Sequence, residues 1–205
     1  MPVIGVKRAP TRAGARPVQA LAAASPPRRW RSSFVVPAAL ALTTFIVFLP
    51  ALKAGFVNWD DDTNFLDNAN YRGLGLAQLQ WMFTTFLMGH YIPFTWMTFG
   101  LDYVLWGMNP AGYHLSNILL HAANAVLFYF IALHLLRLNV PVCPADGPSA
   151  PILGSALATL LFAVHPLRAE SVAWITERRD VLSGLFCLAA VLTCCPDVFT
   201  ILRRA

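Results

Sequence analysis

Charge is in short supply in this sequence. Only 12% of its 205 residues are charged and 57% are apolar, whereas an ordinary soluble chain carries roughly 25% charged residues. The apolar residues are also bunched into long runs, which excludes the interleaved pattern of a water-exposed globular domain. Acidic residues are missing from positions 1–33, where seven basic ones fall (Lys7, Arg8, Arg12, Arg16, Arg28, Arg29 and Arg31). Beside an apolar run, such a tail fits a topological role better than nucleic-acid binding. Cysteine is scarce as well. Cys143, Cys187, Cys194 and Cys195 form no disulfide framework or metal-ligand spacing; three lie in or beside apolar runs, where a thiol packs as a small hydrophobe.

A helix that crosses a bilayer needs about 20 mostly apolar residues. Residues 34–52 qualify, with Pro37 in the first turn and only Thr43 and Thr44 as polar groups. No small-x-small cleavage site follows, so a retained span is expected rather than a signal peptide. Further spans are expected over about 115–136, 152–167 and 181–195. The Arg28-Arg29-Trp30-Arg31 cluster keeps the N-terminus cytoplasmic by the positive-inside rule. Segments 53–114 and 165–180 then emerge on the other side. Charge agrees for the first, which holds two basic and five acidic residues. The expected fold is all-α and polytopic, with about four transmembrane helices. A basic tail (1–33) precedes the membrane domain (34–195), and a short tail (196–205) follows it.

The first outer segment is too long for a connector and too apolar for a disordered one. Leu76, Leu79, Met82, Phe83 and Phe86 recur at helical spacing, and so do Trp96, Phe99, Tyr103 and Trp106. These stripes predict amphipathic helices lying apolar face down at the membrane interface. Trp59, Trp81, Trp96, Trp106 and Trp174 fit an aromatic belt. An ordinary subdomain with its aromatics packed inside is the alternative.

Two polar clusters carry candidate chemistry. Asp60, Asp61 and Asp62 follow the first span by a few residues, and three adjacent carboxylates repel unless cations, basic groups or water screen them. One could deprotonate an acceptor hydroxyl while a neighbour orients it or binds a divalent ion; a solvated turn is the plain alternative. The second cluster runs from His165 through Glu170 to Glu177-Arg178-Arg179-Asp180. Arg178 or Arg179 could hold a phosphate, since guanidinium forks match it bidentately, with His165 or Glu170 facing the aspartates. Local ion pairs at a helix start are the alternative here. His114 and His121 share a helix face near Asn117 and Asn124, which suggests interhelical hydrogen bonding rather than metal ligation.

The ordered strings Phe56-Val57-Asn58-Trp59-Asp60-Asp61-Asp62, Pro93-Phe94-Thr95-Trp96, Gly112-Tyr113-His114-Leu115-Ser116-Asn117 and Leu161 to Asp180 go beyond generic chemistry. Over about residues 34–193 the chain resembles the N-terminal membrane part of the bacterial relatives of the transmembrane and tetratricopeptide-repeat protein O-mannosyltransferases, of the GT-C glycosyltransferase class. The resemblance implies a lipid-phosphate sugar donor and a protein acceptor, outside the cytoplasm of a bacterial inner membrane. It implies Asp60 and Asp61 as the catalytic acidic pair, with His165, Glu170, Arg178 and Arg179 completing the site and Asp62 in support. No repeat period of about 34 residues is visible, so a truncated chain, inactive alone, is expected. A membrane anchor or scaffold without catalysis is the rival reading. A transporter fits less well, because the charges cluster at the outer edge rather than at the midplane.

Overall fold

A computed structural model describes residues 34–139 and 149–194. The basic tail (1–33), the 140–148 linker and the C-terminal tail fall outside the described residues, and so do Cys143 and Cys195. Every regular element among the described residues is helical; a single bridge joins Leu87 to His90.

Helix α1 (Val35–Phe48) passes into a 3-10 turn, Leu49–Lys53. Helices α2 (Leu76–Thr84) and α3 (Pro93–Trp106) follow, the latter opened by a proline at its first position. Gly107 ends α3 with a φ of 61°, a left-handed position that glycine adopts without a Cβ penalty. Helix α4 (Pro110–Asn139) begins three residues later. A Cβ on Gly112 would lie 2.2 Å from Trp106 Cγ, so glycine lets the α3 end pack directly on the start of α4. Helices α5 (Ala150–Ala163), α6 (Arg168–Ala173) and α7 (Arg178–Cys194) complete the described chain.

Two helical segments are long and apolar enough to cross a membrane, Val35–Lys53 and Pro110–Leu138; Ala150–Ala163 is apolar but shorter. The expected third span reached residue 167, whereas α5 stops at Ala163. Pro166 disfavours helical backbone at His165, and the chain restarts as the short helix α6, which periodicity did not reveal.

Helix α4 is the hub. Helices α1, α5 and α7 all pack on it, and α5 and α7 pack chiefly against α4 rather than each other. Leu40, Tyr129 and Leu133 form one core layer against Ile152 and Ala156; Phe48, Ala51, Ile118, Val172 and Val181 form another. Thr44, Ser155 and Thr159 are wholly buried. The hydroxyls of Thr44 and Thr159 bond back to their own helices at Leu40 O and Ser155 O. That satisfies a polar group without a partner helix and lets backbones approach.

Residues 54–109 fold into a small subdomain at one end of these helices. Its core is Phe65, Tyr71, Met82, Trp96, Phe99 and Tyr113, joined by Ile175 from the second polar loop. The stripes expected to face lipid divide: Leu76, Phe83, Phe86 and Trp106 are exposed, and the rest of each stripe turns inward. Met82, Trp96 and Phe99 are at most 1% exposed and face protein. Phe65 and Phe99 meet edge-on at 4.7 Å, with Trp96 beside Phe99 at 5.7 Å, so mutual ring packing took these faces. Of the five belt tryptophans only Trp59 and Trp106 are exposed. Cys187 and Cys194 are free and exposed on α7, not packed inside.

Candidate functional site

The acidic turn sits where the chain leaves the helices, and its middle carboxylate is locked in place. Asp61 is fully buried. Its Oδ2 accepts the Val57 backbone N–H at 2.8 Å, which closes the turn on itself. Its Oδ1 accepts the Thr176 hydroxyl at 2.6 Å and the Trp174 indole N–H at 3.1 Å. Thr176 in turn accepts Asn64 Nδ2 at 3.2 Å. Three donors therefore converge on one buried carboxylate and fix its orientation. The two polar clusters of the sequence are thus joined directly, through Asp61. Asp60 and Asp62 are half-buried, and no hydrogen bond or ion pair among the described residues engages either carboxylate.

The 174–178 turn that grips Asp61 is itself anchored by Arg178, which is fully buried. Its Nη1 pairs with Asp102 Oδ2 at 2.5 Å. Nε donates to Asn117 Oδ1 at 2.6 Å and Nη2 to Tyr113 O at 2.8 Å, while the guanidinium lies 4.3 Å from the Phe99 ring centroid. Ser116 donates to the other Asp102 oxygen at 2.6 Å. Asn117 also donates to the carbonyls of Val172 and Trp174 at 3.3 and 3.2 Å. Helices α3, α4 and α7 thereby converge on one cation. Burial pushes the Asp102 carboxyl above its usual range, against the opposing pull of Arg178.

The Arg178 donors therefore all face inward partners. Arg179 is different. It pairs with Glu177 through two contacts, Nη2–Oε1 at 2.5 Å and Nε–Oε2 at 3.3 Å, and its side chain remains 28% exposed. Burial raises the Glu177 carboxyl above its ordinary value, with Arg179 pulling the other way. Local neutralisation at the helix start therefore holds for Arg179 and fails for Arg178.

His165 and Glu170 are exposed around the start of α6, where His165 Nδ1 accepts the Leu167 N–H at 3.3 Å. Interhelical bonding expected of the α4 polar residues is found. His121 Nε2 lies 2.9 Å from Ala163 O, and Asn124 donates to Val181 O at 2.8 Å. His114 is wholly buried beside the Ala54 and Gly55 backbone, yet neither ring nitrogen meets hydrogen-bond geometry. Among the described residues no three His, Cys, Asp or Glu side chains converge as a metal-ligand set. The Asp61 oxygens are already taken by donors, so no chemistry is assigned to a divalent ion.

Asp102 and Thr176 went unnoticed in the sequence. A signal existed for the first: Asp102 is the sole charge in the apolar run 93–106, and a lone carboxylate there needs a cation from elsewhere. Thr176 gave none.

No family model matches the chain, and no solved structure matches it. Curated proteins do. The chain is 34% identical over 153 residues to protein O-mannosyl-transferase TMTC3 of Homo sapiens, covering 70% of this chain and 15% of that protein. It is 34% identical over 157 residues to protein O-mannosyl-transferase Tmtc1 of Drosophila melanogaster, covering 73% and 17%. With protein O-mannosyl-transferase TMTC4 of Mus musculus the figures are 38% over 106 residues, 51% and 14%. The chain thus spans about a sixth of the length of these relatives while most of it aligns with them. It is a relative of the TMTC family of protein O-mannosyl-transferases.

Proposed function

We propose that this chain is the catalytic membrane end of a glycosyltransferase. In this reading the full-length enzyme transfers a sugar from a polyprenyl-phosphate donor to a protein hydroxyl on the non-cytoplasmic side of a bilayer. The single observation that carries the reading is the contrast at the acidic turn. Asp61 is latched to the 174–178 turn by Thr176 and Trp174, while its neighbour Asp60 keeps an unengaged carboxylate. Asp60 is then the base and Asp61 the group that fixes the turn. The acceptor oxygen attacks the anomeric carbon, its proton passes to Asp60, and the bond from that carbon to the phosphate oxygen breaks. Polyprenyl phosphate leaves with the bonding electrons. Arg179, partly exposed beside Glu177, is the phosphate-facing cation.

Membrane placement is supported by α1 and α4 and by the outward faces of the helices. Leu42, Ile46, Leu119, Leu153, Leu157, Leu161 and Phe186 are each more than half exposed, an apolar area that needs a lipid or protein cover. Helices α1, α4, α5 and α7 are read as four spans, with the subdomain and α6 outside. The bacterial inner membrane rests on the sequence resemblance alone.

The test is transfer from a polyprenyl-phosphate sugar by a full-length relative carrying asparagine at the position matching Asp60. A fall of about 10²–10⁴-fold is expected for loss of a general base. Undiminished transfer would leave the membrane-anchor reading, in which the buried Asp61 latch is only structural.

A further inference from the structure

Helices α5 and α7 both lie on α4, and a cavity of about 260 Å³ opens between them. Its lining changes character along its length. Arg168 and Ser171, one helical turn apart on α6, stand at the loop end with Asp180 of α7. Asp180, Gly184, Cys187 and Leu188 follow one face of α7, and His121, Asn124 and Phe128 one face of α4. From Asp180 to Cys187 the groove descends about 10 Å at the helical rise. Its upper end is charged and its lower end apolar, which is the profile of a lipid and not of a soluble metabolite.

The charges at the mouth narrow the class of lipid. Arg168 packs its guanidinium 4.6 Å from the Phe162 ring centroid, and no ion pair among the described residues engages it. Among the described residues the Asp180 carboxylate accepts only the Ser171 hydroxyl, at 3.2 Å; Arg179 beside it pairs with Glu177. One cation and one anion therefore flank the same opening without pairing to each other. On the floor, Asn124 is 2% exposed, and its Oδ1 has no donor among the described residues. An anionic head group would satisfy Arg168 and leave Asp180 repelled, whereas a head group with both charges satisfies both.

We infer that the groove between α5 and α7 binds a phospholipid with a phosphoethanolamine head group, its phosphate at Arg168 and its ammonium at Asp180, above an acyl chain laid along Phe128 and Leu188. The cavity lies just below the roughly 300–1,000 Å³ of small-molecule sites, so it holds the head and upper chain only. The rest of the lipid remains in the bilayer. The inference uses the membrane placement proposed above but neither aspartate of the proposed reaction.

The test is native mass spectrometry of the full chain in detergent, titrated separately with phosphatidylethanolamine, phosphatidylglycerol and polyprenyl phosphate. Phosphatidylethanolamine should be retained about fivefold over phosphatidylglycerol, the scale of one partly exposed charge contact. Asp180→Asn should remove that preference without lowering phosphatidylglycerol, and Arg168→Gln should lower both lipids. Added phosphatidylethanolamine should also slow alkylation of Cys187 but not of Cys194. Equal retention of the two phospholipids, or displacement of phosphatidylethanolamine by polyprenyl phosphate, overturns the assignment. Asp60→Asn should leave lipid retention unchanged, so failure of the catalytic proposal reads separately from failure of this one.

Discussion

Arg178 and Arg179 are adjacent in the chain and opposite in circumstance. Arg178 is sealed among Asp102, Asn117, Tyr113 and the Phe99 ring; Arg179 rests on Glu177 at the surface. One side chain points into the aromatic subdomain and the other away from it, because successive positions of a helix start diverge by about 100°. The same contrast separates Asp61 from Asp60. In each pair the buried member holds the architecture and its neighbour is only partly covered. A dense polar run is therefore half scaffold, and burial decides which half.

Asp102→Ala breaks the comparison most severely. It leaves the Arg178 guanidinium buried without its carboxylate, a loss of about 3–5 kcal/mol for a charge orphaned in protein. Thermal unfolding of the chain in detergent, followed by circular dichroism, reads it. Pairing Asp102→Asn with Arg178→Gln removes both charges, so the double variant should lose less than the two single losses combined. Strict additivity would mean the two side chains do not act as a pair.

Thr176→Val comes next. It deletes the 2.6 Å donor on Asp61 and leaves the indole and the Val57 amide in place. A hydrogen bond to a charged group contributes about 1.5–3 kcal/mol, so the variant should lose less stability than Asp102→Ala. Trp174 emission should shift because the Asp61 oxygen that accepts its indole N–H loses its second donor, the Thr176 hydroxyl. An unchanged spectrum and melting point would show that the latch is not formed.

These effects bear on how much the sequence disclosed. The apolar runs marked α1 and α4 because a bilayer-length helix imposes a composition. The two polar clusters could be expected at one end of the molecule because two spans were read between them, which would return the chain to the side it left. Periodicity found α2 and α3 but not the direction of their faces. Trp96 and Phe99 read the same whether a stripe meets lipid or the rings of Phe65, Tyr71, Trp81 and Tyr113, and tertiary packing made the choice. Asp102 and Arg178 are 76 positions apart in sequence, Asp102 alone among apolar residues and Arg178 crowded by closer carboxylates. Proximity along the chain favoured Glu177 and Asp180 as partners, and only the folded subdomain shows Asp102 taking Arg178.

The surface pair gives the smallest effect, with its sign set by burial. Arg179→Gln should cost at most about 1 kcal/mol, the range of partly exposed ion pairs. The pH dependence of Glu177 is more informative. Burial raises its carboxyl in the folded chain, and the attraction of Arg179 only partly offsets this. Between the ordinary glutamate value and the raised one, the folded state holds a proton that the unfolded state has released. Stability therefore falls as pH climbs through that window and levels off above it. Glu177→Gln should flatten this segment of the curve, and Arg179→Gln should steepen it by removing the cation that opposes the rise. If the wild type instead gains stability there relative to Glu177→Gln, the ion pair outweighs burial, and Arg179 is held too tightly to turn toward a phosphate.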